Sequence, residues 1–208
     1  MKKNMIKLIK KIRVNKNMSV FLLSFIIVGI ISGSLFSIMI NEKDKILVAN
    51  YLNEFLINLS DSNKTNIVFH STLLYNSGFA ILIWVFGISI IGIIFILPFL
   101  FIKAFTLGFT INSTILNLKF KGIIIVAIYS LPHQLINMLI YILISSYAII
   151  VSYRIFNSVQ HKKNLDFKKI MNQYSFILFF SLTTLLITSI YESYILPKIM
   201  RLIVNLIK

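Results

Sequence analysis

Residues 122–153 run for 32 positions without an Asp, Glu, Lys or Arg. As one straight helix this stretch would measure roughly 48 Å, against a hydrocarbon core of about 30 Å. No water-soluble fold of this size has use for such a run, and it does not stand alone. Residues 18–40, 78–118 and 174–196 are also apolar blocks of spanning length. The chain as a whole is 58% hydrophobic and only 13% charged, whereas soluble domains carry about 25% charged residues. Too little polar surface is left to cover a soluble globule. The expected fold class is all-α, a polytopic helical membrane protein with about five transmembrane helices.

The polar segments divide the chain. Residues 1–17 hold seven positive charges among apolar residues at roughly helical spacing. They read as a basic cytoplasmic anchor or as a short amphipathic helix on the inner leaflet. The first span, 18–40, is too long for a signal-peptide core and no small-residue cleavage site follows it, so it is expected to remain uncleaved. Gly29 and Gly33 form a G-x-x-x-G pair that lets a second helix approach closely. Residues 41–77 form an extracytoplasmic segment in which Val48, Tyr51, Leu52, Phe55 and Leu59 recur at helical spacing. An amphipathic helix over 43–59 is expected, followed by a loop at Ser60–Asn66.

The block 78–118 is interrupted by Pro98 and Lys103. It suits a hairpin of two spans, 79–100 and 103–118. In 122–153, Pro132 removes a backbone donor, so the fourth span is expected to be broken or kinked there. Irregular backbone at that depth must be buried in protein or line a wet cavity. Residues 154–173 are rich in Lys and Arg and read as a cytoplasmic loop; 174–196 is the fifth span; 197–208 is an extracytoplasmic tail. With the N-terminus inside, 13 positive charges fall on the inner side and 8 on the outer, the bias expected of a multi-pass protein of the cell membrane.

The net charge of +15 therefore points to membrane lipid, not nucleic acid, because the charges sit at the ends of apolar runs. Cys is absent, which excludes disulfides and thiolate chemistry. Ile, Asn and Lys outnumber Ala, Gly and Arg, the codon bias of an AT-rich, bacterial genome. The acids are too few and scattered for a carboxylate pair, and no metalloprotease, nucleophile-elbow or P-loop motif occurs. His70, His133 and His161 are far apart in the expected topology. No catalytic, cofactor or metal site is expected, and the chain reads as a non-enzyme. Two intramembrane polar features remain. His133 and Asn137 share a helix face, and they tie helices together or lie on a substrate path or partner contact. Glu192 lies near the outer end of the fifth span and reads either as an interfacial carboxylate, hydrated or paired with Lys119 or Lys121, or as a functional group; a direct pair with His133 is not expected.

The order of short motifs resembles one family. The run Asn76 to Gly92 contains Trp84 and Gly87; Lys103, Phe105, Gly108 and Phe109 follow at K-x-F-x-x-G-F spacing; then come Lys121-Gly122 and Leu131-Pro132-His133; Glu192, Tyr194 and Pro197 close the fifth span. Together they resemble the stage II sporulation protein M family over nearly the whole chain. One departure is His133-Gln134, where an amide pair such as Gln-Asn is expected. The resemblance implies a membrane scaffold for engulfment during sporulation, positioning two peptidoglycan-degrading partners at the septum: a lytic transglycosylase and an amidase/endopeptidase. It makes Lys103, Phe105, Gly108, Phe109, Pro132, His133, Asn137, Glu192, Tyr194 and Pro197 partner or structural candidates. A homo-oligomer stays open. The competing reading is a permease or the membrane subunit of a transporter, because discontinuous helices often line substrate sites. A third is a general membrane protein of the same superfamily in a bacterium that makes no spores.

Overall fold

The computed structural model describes residues 16–60, 65–161 and 166–199, and these are helical with no strand among them. The basic residues 1–15, parts of the two polar loops and the tail from 200 onward lie outside the described residues, as do the side chains of Phe55 and Leu59. Helix α1 spans Lys16–Met39, α2 Glu42–Ser60, α3 Thr65–Ile88, α4 Gly92–Ile125, α5 Leu131–His161 and α6 Phe167–Ile190. Two π-helical turns, Val126–Ser130 and Tyr191–Ile195, precede α5 and follow α6.

Four stretches are long and apolar enough to cross a membrane: Asn17–Met39, Val68–Ile88, Gly92–His161 and Phe167–Ile199. The third has 70 residues and would measure roughly 105 Å if straight. It is not straight. Lys119 has φ 50 and ψ −126, a conformation unusual for a residue with a side chain. Beyond it the chain turns back so closely that a Cβ on Gly122 would run into the Thr114 carbonyl. The 70 residues therefore form two helices that fold back at Lys119, and with the other three stretches these make five of spanning character among the described residues.

Several expected boundaries are corrected. The hairpin between the second and third spans turns at Ser89–Ile91, where Gly92 N–H donates to the Ser89 carbonyl at 3.1 Å. Pro98 and Lys103 do not mark this turn; both lie within α4. Pro98 is the seventh residue of α4, past the end whose N–H groups lack partners, so the helix carries the loss of the bond that would reach the Ile94 carbonyl. The second spanning helix begins at Thr65, inside the segment 41–77 expected to be extracytoplasmic. The expected loop 154–173 is helical to His161 and again from Phe167, where Asp166 caps α6 by accepting from the Lys169 N–H at 3.2 Å. The last helix does not stop at Pro197 but continues to Ile199.

The fourth span is irregular, but not by an open kink at Pro132. The π turn Val126–Ser130 ends two residues before Pro132. A proline cannot donate to the carbonyl four residues back and its ring crowds that carbonyl; a wider turn relieves both. The same spacing recurs in the fifth span, where the π turn Tyr191–Ile195 ends two residues before Pro197.

The tightest seam joins α1 to α4. A Cβ on Gly33 would overlap the Phe105 carbonyl, and one on Gly108 would overlap the Ile30 carbonyl. The backbones touch because these positions lack side chains. The seam is then pinned by Asn112 Nδ2, which donates to the Ser34 carbonyl at 3.0 Å and to Ser37 Oγ at 2.6 Å. Phe36 packs on Phe105 and Phe109 at 5.5 and 6.2 Å between centroids.

Candidate functional site

Helix α5 carries its polar groups at a four-residue step. His133, Asn137, Tyr141 and Ser145 are all buried, so they form one inward-facing column. Each of the first three meets a polar group from another helix. That matters in lipid, where no water rescues an unpaired donor or acceptor.

At the lower end of the column, Tyr141 OH donates to Asn76 Oδ1 at 3.1 Å, and Lys103 Nζ donates to the same oxygen at 3.1 Å. Lys103 is only 5% exposed. Its ammonium also lies 4.0 Å from the centre of the Tyr75 ring and 5.5 Å from that of Tyr141, where aromatic faces stabilise a cation. Lys103 is thus a structural charge inside the bundle, joining the second, third and fourth spans. It drops out of the cytoplasmic loop charges, and the inner excess of positive charge does not depend on it.

One turn further along, Thr188 Oγ1 donates to Asn137 Oδ1 at 2.7 Å. Beyond that, His133 Nε2 lies 3.5 Å from Glu192 Oε2, with side chains 1% and 14% exposed. The expectation that these two would not pair is overturned. Counting from the span ends misjudged their depth, because the fifth span continues past Pro197 and the fourth begins directly at the Lys119 reversal. No ion pair joins Glu192 to Lys119 or Lys121. The 3.5 Å contact has ion-pair reach without hydrogen-bond geometry, and Glu192 Oε2 is buried with no hydrogen-bond partner. The two π turns place this pair: Tyr129 in the first lies edge-on to the His133 ring at 5.8 Å, and Tyr129 and Leu196 pack together beside Tyr191.

The pair opens onto a cavity of about 530 Å³. Leu47, Val48, Tyr51 and Leu52 of α2 form one wall, and Phe109, Leu118, Ile125 and Val126 form others. The cavity's polar lining comprises Ser130 just before α5, His133 and Gln134 of α5 on the same face, Glu192 beside His133, and Thr110, Ser113 and Thr114 of α4. A smaller void of about 100 Å³ between Lys103 and Gln134 adjoins it, with Thr110, Ser130 and Gln134 as common walls. Among the described residues no three His, Asp or Glu side chains converge as a metal site would require.

The remaining sequence candidates divide by role. Phe105 and Gly108 belong to the α1 seam, while Phe109 serves both that seam and the cavity. Pro132 turns its ring outward and Pro197 is buried. Tyr194 packs at a tilt against Phe69, with 5.8 Å between ring centroids. Asn76, Tyr141 and Thr188 were not singled out by their own chemistry. Their only signal was spacing, since Tyr141 continues the step from His133 and Asn137.

No curated protein and no solved structure matches the chain. Residues 19–197, by contrast, fit the family described as SpoIIM, Stage II sporulation protein M. The fit covers all five spans and α2, and the chain belongs to the stage II sporulation protein M family.

Proposed function

We propose that this sporulation membrane protein is a non-enzymatic scaffold acting in engulfment, which positions peptidoglycan-degrading partners at the septal membrane. The observation that carries this reading is the family fit over residues 19–197. The partners, a lytic transglycosylase and an amidase/endopeptidase, come from the family resemblance. The N-terminus lies in the cytoplasm, supported by the positive charges of residues 1–17. That places α2 on the outer face, beside the wall. Ile46, Leu47 and Tyr51 of α2 are 60%, 64% and 79% exposed, an apolar surface suited to the membrane interface or to a partner.

The test is recovery of wall hydrolases with the tagged protein from cells at asymmetric division. Ile46→Glu should lower recovery while the protein still inserts; equal recovery would leave α2 outside the partner contact. Hydrolases missing from the wild-type sample as well would remove the scaffold reading. Cysteines at Ser62 and at Asn164 check the orientation, with impermeant reagent expected to reach the first alone.

A second reading is favoured by one observation. The cavity leads from α2 to an intramembrane His–Glu pair, and a second void continues towards Lys103. Ionisable groups at such depth are retained mainly for function, and a permease would use them. His133→Gln should be nearly silent in a scaffold, since an amide can face Glu192 in its place and the imidazole Nδ1 makes no hydrogen bond to lose. An inserted, partner-binding but inactive His133→Gln protein would promote the permease.

A further inference from the structure

The cavity under α2 has a chemistry that neither the family nor the scaffold reading assigns. Its lining is mostly apolar; Ser130, just before α5, shares one face with His133 and Gln134 beside Glu192, and Thr110, Ser113 and Thr114 add hydroxyl groups from α4. Pockets of this size, with apolar lining and a few placed polar groups, suit one small ligand or part of a larger one. The polarity divides the ligand likewise, into an apolar chain and a compact polar head.

The sign of the head follows from Glu192. A carboxylate taken out of water needs a cation or several donors close by. Glu192 Oε2 has no hydrogen-bond partner; His133 Nε2 lies 3.5 Å from it, and the Lys103 ammonium acts on it through charge alone. That ammonium donates its own hydrogen bond to Asn76 and lies over the Tyr75 ring. A primary ammonium brings three N–H donors. Glu192, Gln134 and Ser130 all line the cavity, and a carboxylate, an amide and a hydroxyl each carry an acceptor oxygen.

We propose that this cavity binds a membrane amphiphile with a primary-amine head group, its ammonium at Glu192 and its chain along the apolar face of α2. A bilayer supplies such a ligand without any diffusion through water, and the α2 wall is open to the surroundings, with Leu47 and Tyr51 64% and 79% exposed. The inference is independent of the scaffold reading.

Native mass spectrometry of the purified full chain in detergent tests it. The probes are phosphatidylethanolamine, chain-matched phosphatidylglycerol and hexadecylamine. The wild-type protein should retain the phosphatidylethanolamine about tenfold over the phosphatidylglycerol, the size of one charge-assisted contact. Glu192→Gln keeps the side-chain shape and should bring the two to parity. Retention of hexadecylamine as well would show that the ammonium suffices; its loss beside retained phosphatidylethanolamine would show that the amine is read on a phospholipid. Leu52→Trp, which fills the apolar part from the edge of the fold, should lower retention of every amine probe and serves if Glu192→Gln fails to assemble. Equal retention of phosphatidylglycerol by the wild type, an unchanged preference in Glu192→Gln, unchanged retention in Leu52→Trp, or no retained probe would each overturn the proposal.

Discussion

The seam between α1 and α4 and the meeting of the two π turns are built on opposite principles. At the seam, Gly33 and Gly108 bring two backbones into contact, and the polar groups present satisfy each other within the pair of helices. At the π turns the helices are wider, two prolines interrupt the ladders, a carboxylate oxygen goes unpartnered and a cavity of about 530 Å³ remains. Without a hydrophobic force between helices in lipid, close packing must hold the bundle together. One side of this molecule supplies that, which frees the other to keep a void and poorly paired charges. π turns of this kind occur often at functional sites.

The sharpest way to break the comparison is to fill the seam. Gly33→Leu puts a branched side chain where even a Cβ overlaps the Phe105 carbonyl. It should cost about 3 kcal/mol or more, read as loss of the folded species in thermal unfolding in detergent. A stable Gly33→Leu protein would mean that the seam does not hold the bundle.

Next in size is the Lys103 cluster, which tests whether its amide or its charge matters. Asn76→Leu removes the oxygen shared by Lys103 and Tyr141 and leaves a buried ammonium without its acceptor, at a cost of about 3 kcal/mol. Lys103→Met removes the charge itself and leaves Asn76 bonded to Tyr141, so it should cost less than about 1 kcal/mol. Equal losses in the same unfolding assay would contradict this asymmetry.

Pro132→Ala sharpens the other side. It restores a backbone donor, so the π turn can revert to an α turn, which would rotate the preceding residues by about 100° per residue removed. Stability should change by no more than about 1 kcal/mol, while a cysteine cross-link between positions 129 and 191 should weaken. An unchanged cross-link would show that packing, not Pro132, keeps the π turn.

The smallest effect is expected at Gly78, where nothing lies within 4 Å of an added Cβ. Gly78→Ala should stabilise the helix by about 0.5–1 kcal/mol, in contrast to the glycines of the seam.

How much of this was legible beforehand varies by residue. Gly29 and Gly33 announced a close approach, but not its partner at Ala104 to Gly108. Lys103 was misread as a loop marker because a lone Lys in an apolar block looks like an interruption. Asn76 and Tyr141, which let it lie inside, stand 27 residues before it and 38 after it in the chain. Glu192 was placed near the right end of its span, but its contact with His133 was not expected.

The sequence by itself determined that this is a helical membrane protein with about five spans. A bilayer forbids unsatisfied backbone groups, so apolar length translates directly into spanning helices. Only the tertiary structure decided which polar residues meet. His133 and Glu192, or Lys103 and Asn76, come together through the rotation and axial shift of whole helices. A turn as local as Val126–Ser130 alters both, and neither quantity is written in the hydropathy of a single segment.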